Sequence, residues 1–137
     1  MNDDTGEHPI TREQAEAWMN WYKRAWEDRD VALAISLFTS DVDYRENRFG
    51  DPLRGFKSLE QYWRARVAEY QRDVHFQFQV WAVSGSECYA GFQAHFIWLP
   101  MNGIMELDGA CRLRFVRRDD GQLLCSKFEE WLARRDN

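Results

Sequence analysis

The sequence predicts an α+β domain, with helices first and an antiparallel sheet after them. Apolar residues recur at helical spacing as far as Tyr70, and from Asp73 onward the period switches to two. The turn signals SGS (84–86), PMNG (100–103) and DDG (119–121) then cut the second half into four strands.

Residues 1–10 read as a flexible tail ahead of a single domain over 11–137. Thr11 with Gln14 forms a capping-box pattern, and Trp18, Met19, Tyr22, Ala25 and Trp26 stripe one face of the first helix. Asp30 can cap a shorter second helix, VALAISLFTS, with Leu33, Leu37 and Phe38 inward. DVDYRENRFGDPLRG (41–55) reads as a short strand ending in turn residues, with Val42 and Tyr44 inward and Arg45 outward. Ser58 with Gln61 marks a second capping box, and Leu59, Trp63, Val67 and Tyr70 stripe a third helix. In the meander, Val74, Phe76, Phe78 and Val80 alternate with His75, Gln77, Gln79 and Trp81. Ala90, Phe92, Ala94, Phe96 and Trp98 alternate with Tyr89, Gln93, His95 and Ile97. Leu107, Cys111, Leu113 and Phe115 oppose Arg112 and Arg114, and QLLCSKFEEWLARR closes the sheet.

The outward set on the first two meander strands has several rings and few charges. It resembles an interface core more than a solvated face, so a homodimer through the outer face of the sheet is expected.

Of the 137 residues, 45% are hydrophobic and 15% aromatic, with seven Trp and nine Phe, so a globular fold with an aromatic core or cavity is expected. The net charge of −5, with no Lys/Arg stripe, weighs against nucleic acid as a partner. Arg117–Arg118 and Arg134–Arg135 read as solvated pairs at strand ends. Cys88, Cys111 and Cys125 lie far apart in apolar strands and read as small buried hydrophobes in a reducing compartment. The acidic start has no signal-peptide pattern and no apolar run approaches membrane-spanning length, which makes a cytoplasmic protein with no membrane partner the expectation. There is no HxxxH, Cys/His cluster, GxSxG, GxGxxG or Walker pattern, so neither metal nor cofactor is expected. His75 and His95 fall on the outer face.

AWEDRDVALAISLFTSDVDYRENRFGDPLRG, SLEQYW, IMELDGACRLRF and DDGQLLCSKFEEWL together resemble the SnoaL-like, largely bacterial branch of the nuclear transport factor 2-like superfamily, over roughly residues 15–133. The resemblance implies a cone in which a curved sheet wraps the helices around an apolar pocket for a small hydrophobic ligand. It implies two open alternatives. One is a cofactor-independent isomerase, cyclase or dehydratase acting on a carbonyl or hydroxyl compound by general acid/base chemistry; the other is a non-catalytic ligand-binding or protein-interaction module. Ketosteroid isomerase, a relative in that superfamily, sets a carboxylate base beside an oxyanion site.

Three residues are candidates for the chemistry. Tyr44 points its phenol into the cone, where it either donates to a developing oxyanion or satisfies a backbone carbonyl. Glu130 shares the parity of Phe128; it is either a desolvated acid/base or a structural partner of an arginine such as Arg45 or Arg64. Asp108 matches an acidic position that is catalytic in some members of the superfamily. Alternation places it on the outer face unless Gly109 marks a bulge that re-aims it. Glu46, nearer the turn, is expected at a solvated rim. Trp18, Phe49, Trp63 and Trp98 are expected to line the ligand site or to pack the core.

Overall fold

The computed structural model describes residues 9–46 and 49–136. The elements in order are α1 (Arg12–Glu27), α2 (Val31–Ser36), β1 (Phe38–Arg45), β2 (Leu53–Arg54) and α3 (Gly55–Tyr62). A π-helical segment (Trp63–Glu69) follows, then β3 (Gln71–Ser84), β4 (Glu87–Trp98), β5 (Gly103–Arg117) and β6 (Leu123–Asp136).

Local chemistry explains most boundaries. The Thr11 hydroxyl accepts the Gln14 N–H while the Gln14 side chain accepts the Thr11 N–H, so the expected capping box starts α1. Asp30 accepts the Leu33 N–H and starts α2. The second expected box does not form. Gly55, at φ +86°, lets the chain turn straight from β2 into α3, so Ser58 lies inside the helix and Arg54 precedes it without a side-chain cap. The third helix also changes geometry at Trp63, giving one α-helical and one π-helical piece. Of the expected tail, residues 1–8 lie outside the described residues, whereas Ile10 is buried and donates its N–H to the Gly85 carbonyl.

The strands form a six-stranded sheet in the order β2-β1-β6-β5-β4-β3. The expected meander accounts for β3 to β6. β1 then pairs parallel to β6, with Tyr44 opposite Phe128, and antiparallel to β2. Register shifts at Arg72/His75 and Val80/Ala82 on β3, and at Arg114/Phe115 on β5, bend and twist the sheet around α1. The inward faces are as expected, with Phe76, Phe92, Phe115 and Phe128 all buried.

The outer face is more charged than the sequence suggested. β5 and β6 add Arg112–Glu129 at 2.5 Å, Arg114–Glu87 at 2.8 Å and an Arg135–Glu106 pair beside the rings of β3 and β4. His75 and His95 are directly cross-strand on this face, stacked at 4.7 Å. All three cysteines are buried and unpaired. No helix of the described residues is long and apolar enough to cross a membrane.

Candidate functional site

The cone encloses a cavity of about 460 Å³ whose walls come from every layer of the fold. From α1, the aromatic stripe supplies Tyr22 and Trp26, the latter donating its indole N–H to Gln71 at 2.7 Å. β1 supplies Tyr44 and Glu46; α3 and the π-helical turn supply Tyr62, Trp63 and Arg66. Trp98 on β4 and Leu107 on β5 form the far wall, and β6 contributes Glu130, Leu132 and Arg134 on one face of the strand.

The deep part is aromatic and hydrogen-bonded. Tyr44 is 3% exposed and stacks flat on Phe128, with centroids 4.7 Å apart and planes 8° apart. Among the described residues its hydroxyl meets no backbone carbonyl; it lies 3.3 Å from the Tyr22 hydroxyl, and either can donate. Burial, with Glu130 nearby, holds both phenols well above their ordinary pKa, so they stay neutral donors.

Glu130 is 5% exposed, and among the described residues no side chain pairs with it. Burial first, then the charge of Glu46, pushes its carboxyl up to about 8. The expected arginine partners are elsewhere: Arg64 binds Glu60 at 2.7 Å, and Arg45 makes no ion pair with Glu130. It is the adjacent carboxylate, Glu129 on the outer face, that takes an arginine, Arg112. One step of strand alternation therefore separates an ion-paired carboxylate from a desolvated one.

Glu46 was expected at a solvated rim. It is half-buried, lines the cavity and accepts a hydrogen bond from the Tyr62 hydroxyl. Burial raises its pKa, while the Tyr62 hydrogen bond, Arg66 and Arg134 act against that rise.

Three expected site residues lie elsewhere. Asp108 is on the outer face because the ladder runs unbroken through Gly109; its carboxylate accepts from Gln93 at 3.2 Å. Gly109 serves close packing, since a Cβ there would stand 2.5 Å from the Trp131 carbonyl and 3.0 Å from the Phe92 ring. Phe49 is fully exposed and does not line the cavity. Trp18 belongs to the core: it stacks on Tyr22 at 5.4 Å, donates to the Leu37 carbonyl at 3.0 Å and is absent from the cavity wall. Trp63 and Trp98 do line the cavity.

Tyr22, Tyr62, Glu46, Arg66 and Arg134 are wall residues that sequence reasoning did not assign to the site. Tyr22 was visible as a core-facing stripe residue, and Tyr62, three residues after Leu59, shares a helical face with it. Arg134 was read as half of a solvated strand-end pair; its parity with Glu130 was the available signal. Among the described residues no group of three or more His, Cys, Asp or Glu could hold a metal ion.

The sequence family described as SnoaL-like domain matches residues 18–124. The chain belongs to the SnoaL-like family. No curated protein matches it. The SnoaL-like cone is similar in structure to a hexachlorocyclohexane dehydrochlorinase, LinA type 2, at a TM-score of 0.76 and 11% identity, covering 92% of this chain and 88% of that one. It is also similar to the Δ5-3-ketosteroid isomerase of Mycobacterium sp. (TM-score 0.70, 13% identity, 89% and 98% covered). A computationally designed 17-OHP binder matches at a TM-score of 0.72 and 16% identity, with 90% and 96% covered. These likenesses establish the nuclear transport factor 2-like cone for this SnoaL-like chain.

Proposed function

We propose that the cone is the site of a cofactor-independent enzyme that moves a proton on a small hydrophobic carbonyl or hydroxyl compound, giving isomerisation, cyclisation or dehydration. The observation that carries this reading is Glu130, a buried carboxyl without a cationic partner among the described residues, on the same wall as the Tyr44 hydroxyl. In the ionised form, Glu130 takes a proton from the carbon next to the carbonyl, and the C–H electron pair moves into an enolate. Tyr44, backed by Tyr22, donates to the developing enolate oxygen. Glu130 then returns the proton to another carbon in an isomerisation, or to a departing hydroxyl, which leaves as water. The dehydrochlorinase and isomerase of the same fold support the class of reaction without naming the substrate.

The test is proton exchange from hydrophobic ketones into D2O, followed by NMR across a panel of cyclic and aryl ketones. Exchange that Glu130→Gln abolishes is the expected result. Tight binding without exchange would instead favour a binding module. The Tyr62–Glu46 hydrogen bond, which ties up one cavity carboxyl, is the observation on that side.

Homodimerisation through the outer face of the sheet is proposed on the exposed Trp81, Trp131 and Ile104 and the stacked histidines there. Sedimentation of the wild type against Ile104→Glu tests it, with a monomeric wild type overturning it. A reducing, cytoplasmic setting is proposed from the three buried, unpaired thiols.

A further inference from the structure

The arginines of this protein are mostly engaged. Arg64, Arg112, Arg114, Arg118 and Arg135 hold carboxylates, and Arg29 and Arg72 hold carbonyl oxygens. Arg66 and Arg134 differ. Both are exposed residues that line the cavity, which places them at its mouth, and among the described residues neither has a carboxylate or carbonyl partner. Arg66 lies over the Trp98 ring, 5.3 Å from its centroid, so its guanidinium is held at the opening while its N–H groups stay available.

Three acidic groups, Glu46, Glu130 and Asp136, share the wall with these cations. Glu46 accepts a hydrogen bond from the Tyr62 hydroxyl; burial raises its pKa while Arg66 and Arg134 oppose that rise, so it meets part of their field. Glu130 lies deep and is mostly protonated at neutral pH. Asp136 is the remaining acid on the wall, at the exposed end of β6. Behind the arginines the surface is aromatic, and Trp63, 1% exposed, keeps an indole N–H with no hydrogen-bond partner among the described residues. The cavity is aromatic at depth and has two guanidiniums at its entrance.

We infer that the cavity takes an amphipathic carboxylate, with a ring-sized apolar body in the aromatic depth and the anionic group against Arg66 and Arg134 at the mouth. This rests on the proposed reading of the cone as a small-molecule site, and it narrows the substrate class to hydrophobic acids whose reactive carbonyl or hydroxyl sits away from the carboxylate. The carboxylate supplies binding energy remote from the reacting carbon, and the two guanidiniums can each offer it an N–H fork.

Titration calorimetry with 1-naphthaleneacetate and 1-naphthaleneacetamide, which share a ring and differ by one charge, tests the inference. The acetate is expected to bind about tenfold tighter than the acetamide, with its affinity falling as salt is raised. Arg66→Gln and Arg134→Gln are each expected to weaken the acetate about three- to tenfold and to leave the acetamide within about twofold, which also reports that the variants are folded. Asp136→Asn should tighten the acetate only. Equal binding of the two ligands, or acetate binding indifferent to both arginine variants, would overturn the carboxylate inference while leaving the small-molecule cavity standing. Failure of both ligands to bind would overturn both.

Discussion

Tyr44 lies face to face with Phe128 across the parallel β1–β6 pair, and Phe128 stands two residues before Glu130 on the same face of β6. The stack fixes where the phenol points, and strand alternation puts the carboxyl on the wall the phenol shares. Phenol and acid are thus coupled by backbone pairing more than by their own side-chain contacts.

Glu130 should make the protein less stable as pH rises. Its carboxyl ionises near 4.5 when solvated and at about 8 in the fold, so the native state binds the extra proton between those values. The full stability is present below pH 4.5 and is lost progressively up to pH 8, by an amount on the order of a few kcal/mol. Urea unfolding of wild type and Glu130→Gln at pH 5, 7 and 9 measures this. The variant should show a flatter profile and gain relative to wild type at pH 9; parallel profiles would show that Glu130 is not desolvated.

The same group sets the pH dependence of turnover. With ionised Glu130 as the base, ketone exchange should climb about tenfold per pH unit below 8 and level off above it. Tyr44→Phe keeps the stack on Phe128 and removes the hydroxyl, so it should lower the exchange rate about 100-fold while costing about 1 kcal/mol of stability. A rate that falls as pH rises would reverse the role of Glu130 from base to acid.

Two glycines on the sheet should respond to alanine to different degrees. At Gly109 the new Cβ meets the Trp131 backbone carbonyl at 2.5 Å, which cannot step aside, and a loss of about 1–3 kcal/mol is expected. At Gly91 it meets the Trp81 ring at 2.3 Å, but Trp81 is 58% exposed and can swing away, so the loss should stay under about 1 kcal/mol. Thermal denaturation of the two variants compares them directly.

Arg112→Met should destabilise the fold while leaving the cavity unchanged. Glu129 is 5% exposed and receives two N–H groups from Arg112 at 2.8 and 2.5 Å, so losing them should cost about 1–3 kcal/mol. Naphthaleneacetate affinity should not move, because Arg112 and Glu129 are on the opposite face of the sheet from Glu130.

The helices, the meander and the inward faces were legible because each has a period and a cap, as Thr11, Asp30 and the Phe76-to-Phe128 alternation show. Tyr44 and Glu130 followed from parity alone. Parity also placed Asp108 outside, and the family likeness kept it among the candidates because a mid-strand glycine can mark either a bulge or a close approach. Glu46 lies just past the end of β1 and Phe49 within a turn, where alternation stops and carries no information on direction. Tyr62 and Arg66 flank the switch at Trp63 from α to π geometry, which rotates later side chains relative to a continuous helix and leaves no sequence signature. Pairing of β1 with β6 joins segments far apart in sequence, so no local pattern announces it.

That pairing has a consequence for how the molecule is made. β6 is the last strand of the fold in chain order, yet it lies between β1 and β5 and carries the acid of the cavity wall. Until it emerges from the ribosome, two sheet edges wait with unmet N–H and C=O groups, and Tyr44 lacks the Phe128 ring it stacks on. A nascent chain at that stage is open to pairing with its neighbours, and synthesis of the final strand both closes the gap and completes the site.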